Sequence, residues 1–401
     1  GYAHVICDAD DASRYRRLLA DGKAIESRLA ISDDPPGELA VHLNAEIALG
    51  TIGELDDIVD WLETTFYYVR AQRTNVPDGQ LRRRLRSTLT WLTEHGFVER
   101  AGSELALEPT SLGRLASEFY LRLETARRFA TVATDHVTEP AVLRAVAAAA
   151  EFDSANARAD ETDAIQAVLG DDATELAPGA RKVLAVVRAQ MAAATPSELK
   201  SDAWVIRQNA LRLLAAFRAI VDQLGTAADA NLVRRLEARV ETGVGDDAVG
   251  LTAIEGVGAQ RAETLAAAGY RSPAEVATAT AETLAAAGIT DTVAARLQNN
   301  ATELPAIEVA WGAFPTRIGR GERTLREVQV RSTAGSARAG LTVTVNNVEM
   351  TAKSSYLGET TLPVGVFGSD TDALTIAVRV VFPELPLEPI VHSKTVRVEA
   401  T

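Results

Sequence analysis

Residues 109–129 carry the sequence PTSLGRLASEFYLRLETARRF, and they separate two regions of different pattern. Before this run, apolar residues at helical spacing predict three helices, over residues 39–50, 54–72 and 77–95. Two short strands follow, and they form a hairpin about Gly102. Three helices followed by a small hairpin predict a winged helix.

After the run, residues 110–241 are rich in Ala and Leu at helical spacing and predict a helical bundle. From residue 306 onward the period changes to two, as in Leu341, Val343 and Val345. About seven short strands predict a β-sandwich of the immunoglobulin or fibronectin type. Residues 242–250 and 298–305 have the composition of linkers.

Three stretches in this order carry a family resemblance: T-x-L-G-R-x-A-S-x-F-Y-L over residues 110–121, Glu151-Phe152 followed by Arg158 and Glu161, and the hairpin Gly256-Val257-Gly258. The chain resembles the C-terminal region of superkiller-like superfamily-2 helicases. The implied fold is multidomain and mainly α, with an all-β sandwich at the end. The implied domains are a motor remnant with its connector (1–34), a winged helix (35–109), a helical ratchet bundle (110–245), a helix-hairpin-helix (246–303) and the sandwich (304–401).

The resemblance implies that ATP and Mg²⁺ are bound by RecA-like motor domains upstream, and that this chain binds no cofactor itself. Residues 2–7 are expected to be a buried strand that closes the second motor domain. The implied partners are single-stranded or forked DNA, or RNA, together with the motor domains. The implied activity of the parent protein is 3′-to-5′ unwinding with a role in DNA repair, by analogy with the family.

No catalytic motif stands in the chain itself. The phosphate-binding pattern G-x-x-x-x-G-K-[ST] is absent, and the acidic run at residues 159–163 follows a polar segment instead of an apolar strand. The five His residues are scattered, and a single Cys gives no metal-ligand spacing. The lone Cys also fits a reducing cytoplasm, and no apolar stretch is long enough to suggest a membrane partner.

The charge balance limits how nucleic acid could be bound. The net charge is −14, and Lys occupies only five positions, so that Arg supplies 36 of the 41 basic residues. This composition resembles that of proteins from salt-loving cells, and together with the family resemblance it suggests a haloarchaeal source. Binding that depends on counterion release weakens steeply with salt, so stacking and hydrogen bonds would have to contribute more.

Residues 251–269, LTAIEGVGAQRAETLAAAG, predict a helix-hairpin-helix. Gly256 and Gly258 permit a tight turn that exposes backbone N–H groups at the start of the second helix, where a phosphate oxygen could bind beside Arg261. The alternative is a hairpin that only packs against its neighbours. A second half near Gly288 has a degenerate sequence.

The helix predicted over residues 201–224 has two unlike faces. On a helical wheel one arc holds polar residues, and Trp204 falls inside it although a core residue should not. By position the helix resembles the ratchet helix of the family, whose side chains lie along the bound strand. The candidate binding residues are Trp204, Arg207, Gln208 and Arg212. The alternative for Trp204 is packing against another domain.

Arg82, Arg83 and Arg86 lie on the third helix of the winged helix, the recognition helix in many DNA-binding proteins. They are candidates for nucleic-acid contact or, alternatively, for an interdomain or solvated face. In the sandwich, Trp311, Phe314 and Phe367 are expected to pack in the core or between domains. The sandwich itself is expected to bind a protein partner. A rival hypothesis therefore makes the whole chain a non-catalytic interaction cassette.

Overall fold

The computed structural model describes residues 4–22, 27–30, 37–102 and 106–399. The chain divides into two compact units, Gly1–Ser117 and Glu118–Thr401. The first unit contains a winged helix, and the second contains a helical bundle, a pair of helical hairpins and a β-sandwich. In the part of the chain that the structure describes, no helix is long and apolar enough to cross a membrane.

The winged helix is confirmed, with a different division of its helices. The helix α1 (Ala12–Asp21) precedes it, and α6 (Ser111–Glu118) follows it. Its own elements are α2 (Glu38–Leu49), α3 (Leu55–Glu63), α4 (Phe66–Arg73), α5 (Asp78–Glu94) and the antiparallel strands β1 (Val98–Ala101) and β2 (Ala106–Pro109). The single helix predicted over residues 54–72 is wrong. The Thr65 hydroxyl accepts a hydrogen bond from the backbone N–H of Tyr68 (3.2 Å), which starts a new helix there.

The strand predicted over residues 2–7 is also wrong where the structure describes it. Residues 4–8 form no strand, and Val5 and Ile6 are exposed. A buried strand needs a neighbour for its backbone N–H and C=O groups, and none of the described residues pairs with this segment. Residues 2 and 3 lie outside the described residues, as do residues 31–36 around the predicted boundary between the connector and the winged helix.

The start of the 109–129 run docks onto the wing. The Thr110 hydroxyl donates to the carbonyl of Gly96 (2.7 Å), and the buried Asn44 amide donates to the carbonyl of Gly113 (2.9 Å). A Cβ at Gly113 would lie 2.1 Å from the carbonyl oxygen of Phe97. Glycine is therefore required where α6 crosses this backbone, which explains two of the residues in the run.

The bundle of the second unit is built from six helices between residues 123 and 242. They are α7 (Leu123–Asp135), α8 (Glu139–Ala147), α9 (Thr162–Leu169), α10 (Pro178–Met191), α11 (Lys200–Leu224) and α12 (Ala227–Thr242). The long helix α11 packs between α7 and α12. The rings of Phe129 and Phe217 stack at its centre, with centroids 4.4 Å apart.

Asp172, in the turn between α9 and α10, ties two helices of the bundle together. Its carboxylate accepts hydrogen bonds from Arg144 of α8 and from Arg188 of α10 (2.5 Å). These two bonds lower the pKa of Asp172 to about 2, against a smaller opposing effect of burial. The ionised carboxylate therefore holds α8 against α10.

Two helical hairpins follow the bundle. Their helices are α13 (Ala259–Ala267), α14 (Pro273–Thr278), α15 (Ala281–Ala286) and α16 (Asp291–Thr302). The linker predicted over 298–305 is wrong, because α16 continues through Thr302 with Leu297 and Ala301 buried in the hairpin core. Residues 242–250 are likewise packed, since Val244 and Val249 are fully buried.

The last 96 or so residues form two facing sheets, as predicted, with eight strands between Ala306 and Glu399. The strands are β3 (Ala306–Ala310), β4 (Arg317–Gly319), β5 (Arg323–Ala334), β6 (Arg338–Val345), β7 (Val348–Tyr356), β8 (Glu359–Phe367), β9 (Ala373–Val381) and β10 (Ile390–Glu399). One sheet has the order β4-β10-β9-β6-β7, and the other β3-β5-β8. All pairs are antiparallel except β4 with β10.

The aromatic residues of the sandwich divide between core and surface. Phe314 is buried in the core between the sheets, and Trp311 packs against that core with its ring edge-on to Phe314. Phe367 is not part of this core, because it is 44% exposed. Its ring lies under the guanidinium of Arg323 (4.9 Å to the ring centre), its partner across β5 and β8.

A buried amide joins the bundle to the sandwich. Asn231 of α12 is 1% exposed, and its Nδ2 lies within 3.0–3.1 Å of the carbonyl oxygens of Phe382, Leu385 and Leu387. Arg338 of β6 adds ion pairs to Asp222 of α11 and to Glu384 (2.6 and 3.1 Å). The sandwich therefore has a fixed position on α11 and α12.

We predict that Asn231→Ala destabilises the second unit by about 1–3 kcal/mol, since buried carbonyl groups lose their donor. The measurement is the shift of the urea unfolding midpoint. Asn299→Ala is the matched control, because Asn299 is exposed on α16. Equal midpoints for the two variants would contradict this role of Asn231.

We predict that Asp172→Asn lowers the melting temperature at pH 7. The folded pKa lies below the usual value of about 3.9, so the stabilisation is complete above pH ~4 and is lost as the pH falls towards 2. The difference between the unsubstituted chain and the variant should shrink over that range. Asp171→Asn, at the exposed neighbouring carboxylate, should show no such convergence.

Candidate nucleic-acid interface

Helix α11 has one buried face and one open face, as its sequence pattern predicts. Leu213, Phe217 and Ile220 are completely buried. Trp204 is 69% exposed on the opposite side, followed one and two turns later by Gln208 and Arg212. The 4-residue spacing places these three side chains along one stripe of the helix.

Arg207 is bonded within the bundle. Its Nε donates to the carbonyl of Val240 (3.1 Å), and its Nη2 donates to the carbonyl of Glu241 (2.5 Å). These carbonyls belong to the last turn of α12, where the helix dipole favours a cation. Arg207 therefore fixes α11 to the end of α12, and its role in nucleic-acid contact remains a prediction.

Arg212 is also bonded to the backbone, at a site the sequence did not indicate. Its Nη1 donates to the carbonyl of Phe119 (2.7 Å) and lies 3.4 Å from that of Tyr120. Tyr120 is 86% exposed and has a φ of +51°. Arg212 therefore links α11 to the backbone of a second exposed aromatic residue, and Tyr120 stands within the 110–121 run that carries the family resemblance.

A buried ion network positions the first turn of α11. Lys182 of α10 is 2% exposed and lies 2.8 Å from Glu161, which is fully buried. Lys182 also bonds Asp202 of α11, and Arg158 bonds Glu161 (2.5 Å) and Ser201 (2.7 Å). The network fixes the turn that carries Trp204.

The network keeps its carboxylates ionised. Burial acts to raise the pKa of Glu161, but the backbone hydrogen bond from Arg158 and the contact with Lys182 outweigh it, so the pKa lies below its usual value. The hydrogen bond from Lys182 likewise lowers the pKa of Asp202. Glu161 and Arg158 are two of the residues that carry the family resemblance.

Glu151 has a separate structural role. Its carboxylate accepts hydrogen bonds from the backbone N–H of Arg122 (2.8 Å) and the hydroxyl of Thr125 (2.6 Å), at the start of α7. A carboxylate at a helix N-terminus satisfies free N–H groups and interacts favourably with the helix dipole. Glu151 thus anchors the chain at Arg122, two residues after Tyr120.

The predicted hairpin glycines form a tight turn between two helical segments. Gly256 has a φ of +88°, Val257 is buried, and Gly258 precedes α13 with open space in front of it. Arg261 is exposed and donates to the carbonyl of Gly256 (2.7 Å). Arg296 of α16 lies beside the same glycine, 3.7 Å from the position of an added Cβ.

The second hairpin is complete in structure despite its degenerate sequence. Gly288 has a φ of +81°, and Ile289 is buried as Val257 is in the first hairpin. It places α16, and with it Arg296, next to the first hairpin. Arg296 could not be predicted from the sequence, because only the fold brings the two hairpins together.

The winged-helix arginines do not act as one group. Arg84 points inward and donates to the Tyr67 hydroxyl (2.8 Å). Arg82 and Arg86 border an open groove of about 390 Å³, together with Arg100 of β1. Its apolar lining comes from α3 and α5: Leu55, Ile58, Val59, Leu85 and Leu89. Arg83 is exposed and does not line this groove.

A winged helix followed by a bundle with a long amphipathic helix, paired hairpins and a β-sandwich defines a class of protein. It is the C-terminal region of superkiller-like superfamily-2 helicases. Residues 109–395 match the Sec63 Brl domain, and residues 36–99 match a winged helix-turn-helix domain. The chain therefore belongs to the Sec63 Brl domain family.

The sequence similarity to curated relatives extends over about half of the chain. Activating signal cointegrator 1 complex subunit 3 of Mus musculus is 29% identical over 240 residues, which are 54% of this chain and 10% of the relative. The Danio rerio protein of that name is 34% identical over 181 residues, 41% of this chain and 11% of the relative. RQC trigger complex helicase SLH1 of Saccharomyces cerevisiae is 26% identical over 235 residues, 53% of this chain and 12% of the relative. The matched region is about a tenth of these relatives, an accessory part of proteins that include helicases.

We predict that Lys182→Met destabilises the bundle by roughly 3 kcal/mol, because Glu161 and Asp202 lose a buried cation. The urea unfolding midpoint measures the effect. Lys200→Met is the matched control at an exposed lysine. Adding Glu161→Gln should recover part of the loss. A Lys182→Met shift no larger than that of the control would contradict the role of the network.

Proposed function

We propose that this chain holds single-stranded nucleic acid along the open stripe of α11 during unwinding by an ATP-dependent helicase. ATP and Mg²⁺ would be bound by RecA-like motor domains of the parent protein, and the unwinding would run 3′ to 5′. The observation that carries the proposal is Trp204, which is 69% exposed on a helix whose other face is completely buried. An indole at this position is available for base stacking.

The hairpins would hold the backbone of the same strand. Gly258 precedes α13 and has no atom within 4 Å of the position of an added Cβ. Arg261 donates to the carbonyl of Gly256, and Arg296 lies beside the same glycine. Such an arrangement suits a phosphate group and carries no base specificity. The hairpins would therefore add affinity, while the stripe of α11 would contact the bases.

The acidity of the chain favours stacking as the main contribution. With a net charge of −14, the chain as a whole repels a polyanion, and salt screens this repulsion. Stacking on an aromatic ring does not depend on released counterions. Affinity for a single strand should therefore persist from low to multimolar KCl.

We predict that Trp204→Ala weakens single-strand binding by about five- to hundred-fold, which corresponds to one lost stacking contact of ~1–3 kcal/mol. The measurement is fluorescence anisotropy with labelled oligo-dT and oligo-U across a KCl series. Their affinity ratio identifies DNA or RNA as the preferred strand. Tyr356→Ala is the matched control, because Tyr356 is an equally exposed aromatic residue on β7.

Retained affinity in a folded Trp204→Ala variant would contradict the placement of the strand on α11. Loss of affinity in the Tyr356→Ala control would show that the strand lies on the sandwich instead.

A second function, recruitment of a protein partner, is favoured by the groove between α3 and α5. Its apolar lining and its three arginines fit an amphipathic segment with acidic side chains. On the sandwich, Leu325 and the Arg323–Phe367 pair are exposed on one sheet face. A chain that binds no single strand at any KCl concentration would favour this function.

A further inference from the structure

Tyr120 has an unusual combination of backbone strain and exposure. Its φ of +51° places a bulky residue in the left-handed region, which β-carbon-bearing residues rarely adopt. Its side chain is 86% exposed, so no packing of the ring explains the conformation. Strained residues of this kind persist only where the surroundings impose them, and they concentrate at functional sites.

The backbone on both sides of Tyr120 is fixed by independent contacts. Arg212 of α11 donates to the carbonyl of Phe119 (2.7 Å). Leu121 is buried, and the N–H of Arg122 donates to Glu151 (2.8 Å). These contacts hold the residues before and after Tyr120, while its ring is left in solvent. The fold therefore keeps the ring of Tyr120 exposed to solvent.

The contact with Arg212 also fixes where the ring is presented. Arg212 follows Trp204 by eight residues, about 12 Å along the helix axis, and lies on the same stripe as Trp204 and Gln208. Trp204 is exposed at one end of the stripe, and Arg212 at the other end contacts the backbone of the exposed Tyr120. Two aromatic residues linked to one helix in this way fit the manner in which single-strand binding proteins stack successive bases.

We propose that Tyr120 is a base-stacking subsite for the single strand, and that Arg212 is the positioning residue that holds it. The inference rests on the proposed function of α11. Arg212 acts through the backbone of residues 119 and 120, and Tyr120 contacts the nucleobase. In this arrangement the phenol ring continues the path of the strand beyond Trp204.

The test replaces the ring without disturbing the backbone. Asparagine tolerates the left-handed conformation, so Tyr120→Asn should keep the melting temperature of the chain, and Tyr120→Gly serves if it does not. Anisotropy with labelled oligo-dT should show affinity reduced about five-fold or more for Tyr120→Asn. Tyr120→Phe should bind within about two-fold of the unsubstituted chain, because a phenyl ring also stacks. Tyr356→Asn, at an exposed tyrosine on β7, should bind normally.

A double-mutant cycle tests the positioning role of Arg212. Arg212→Ala should weaken binding in the unsubstituted chain but cause little further loss in the Tyr120→Asn background. Additive losses would overturn the positioning role and make Arg212 a direct ligand. An oligonucleotide with a single 2-aminopurine should show fluorescence quenching that depends on Tyr120.

The outcomes separate the inference from the proposed function. Binding that depends on Trp204 but not on Tyr120 would overturn the inference alone. Binding that depends on neither residue, or no binding by the unsubstituted chain, would overturn both. A loss with Tyr120→Asn that Tyr120→Phe does not share would support the subsite.

Discussion

Burial of the apolar face of α11 is the constraint on which the candidate interface depends. Leu213, Phe217 and Ile220 are completely enclosed, and the ring of Phe217 stacks on Phe129 of α7. Each such side chain stabilises the fold by about 1.5–3 kcal/mol. A rotation of the helix that covered Trp204 would expose these residues, so their burial keeps the indole outside. The open stripe is thus a consequence of the core.

The same constraint explains why the first turn of α11 needs charged neighbours. The completely buried residues of α11 lie between Ala210 and Val221, while the start of the helix carries the polar residues Ser201 and Asp202. The buried Lys182 and Glu161 fix this turn with directional bonds. A buried ion network is weak evidence for added stability, because desolvation offsets much of the attraction. It does specify one geometry, and Trp204 follows two residues after Asp202.

Features set by local pattern were predictable from the sequence. The helical period of apolar residues predicted α11 and the outward position of Trp204. The alternation of apolar and polar residues predicted the two-sheet sandwich. The break at Thr65 was also a local signal, since Thr is a preferred helix cap, and it was missed. The backbone bonds of Arg207 and Arg212 were not predictable in this way. The partner of Arg212 lies 93 residues away along the chain. A tyrosine also gives no sequence signal for a left-handed backbone conformation such as that of Tyr120.

The way arginine is used here links the composition to the proposed mode of binding. A guanidinium has several donors in a fixed plane, so one side chain can bond two carbonyl groups at once. Arg207, Arg212 and Arg261 each donate to backbone carbonyls. A guanidinium group that is bonded to protein carbonyls stabilises the local backbone, but it has fewer free donors and less freedom of movement for contacts with phosphate groups. An interface built on them in a chain of net charge −14 must obtain its affinity from aromatic faces. Screening by salt leaves that contribution in place, because it does not arise from released counterions.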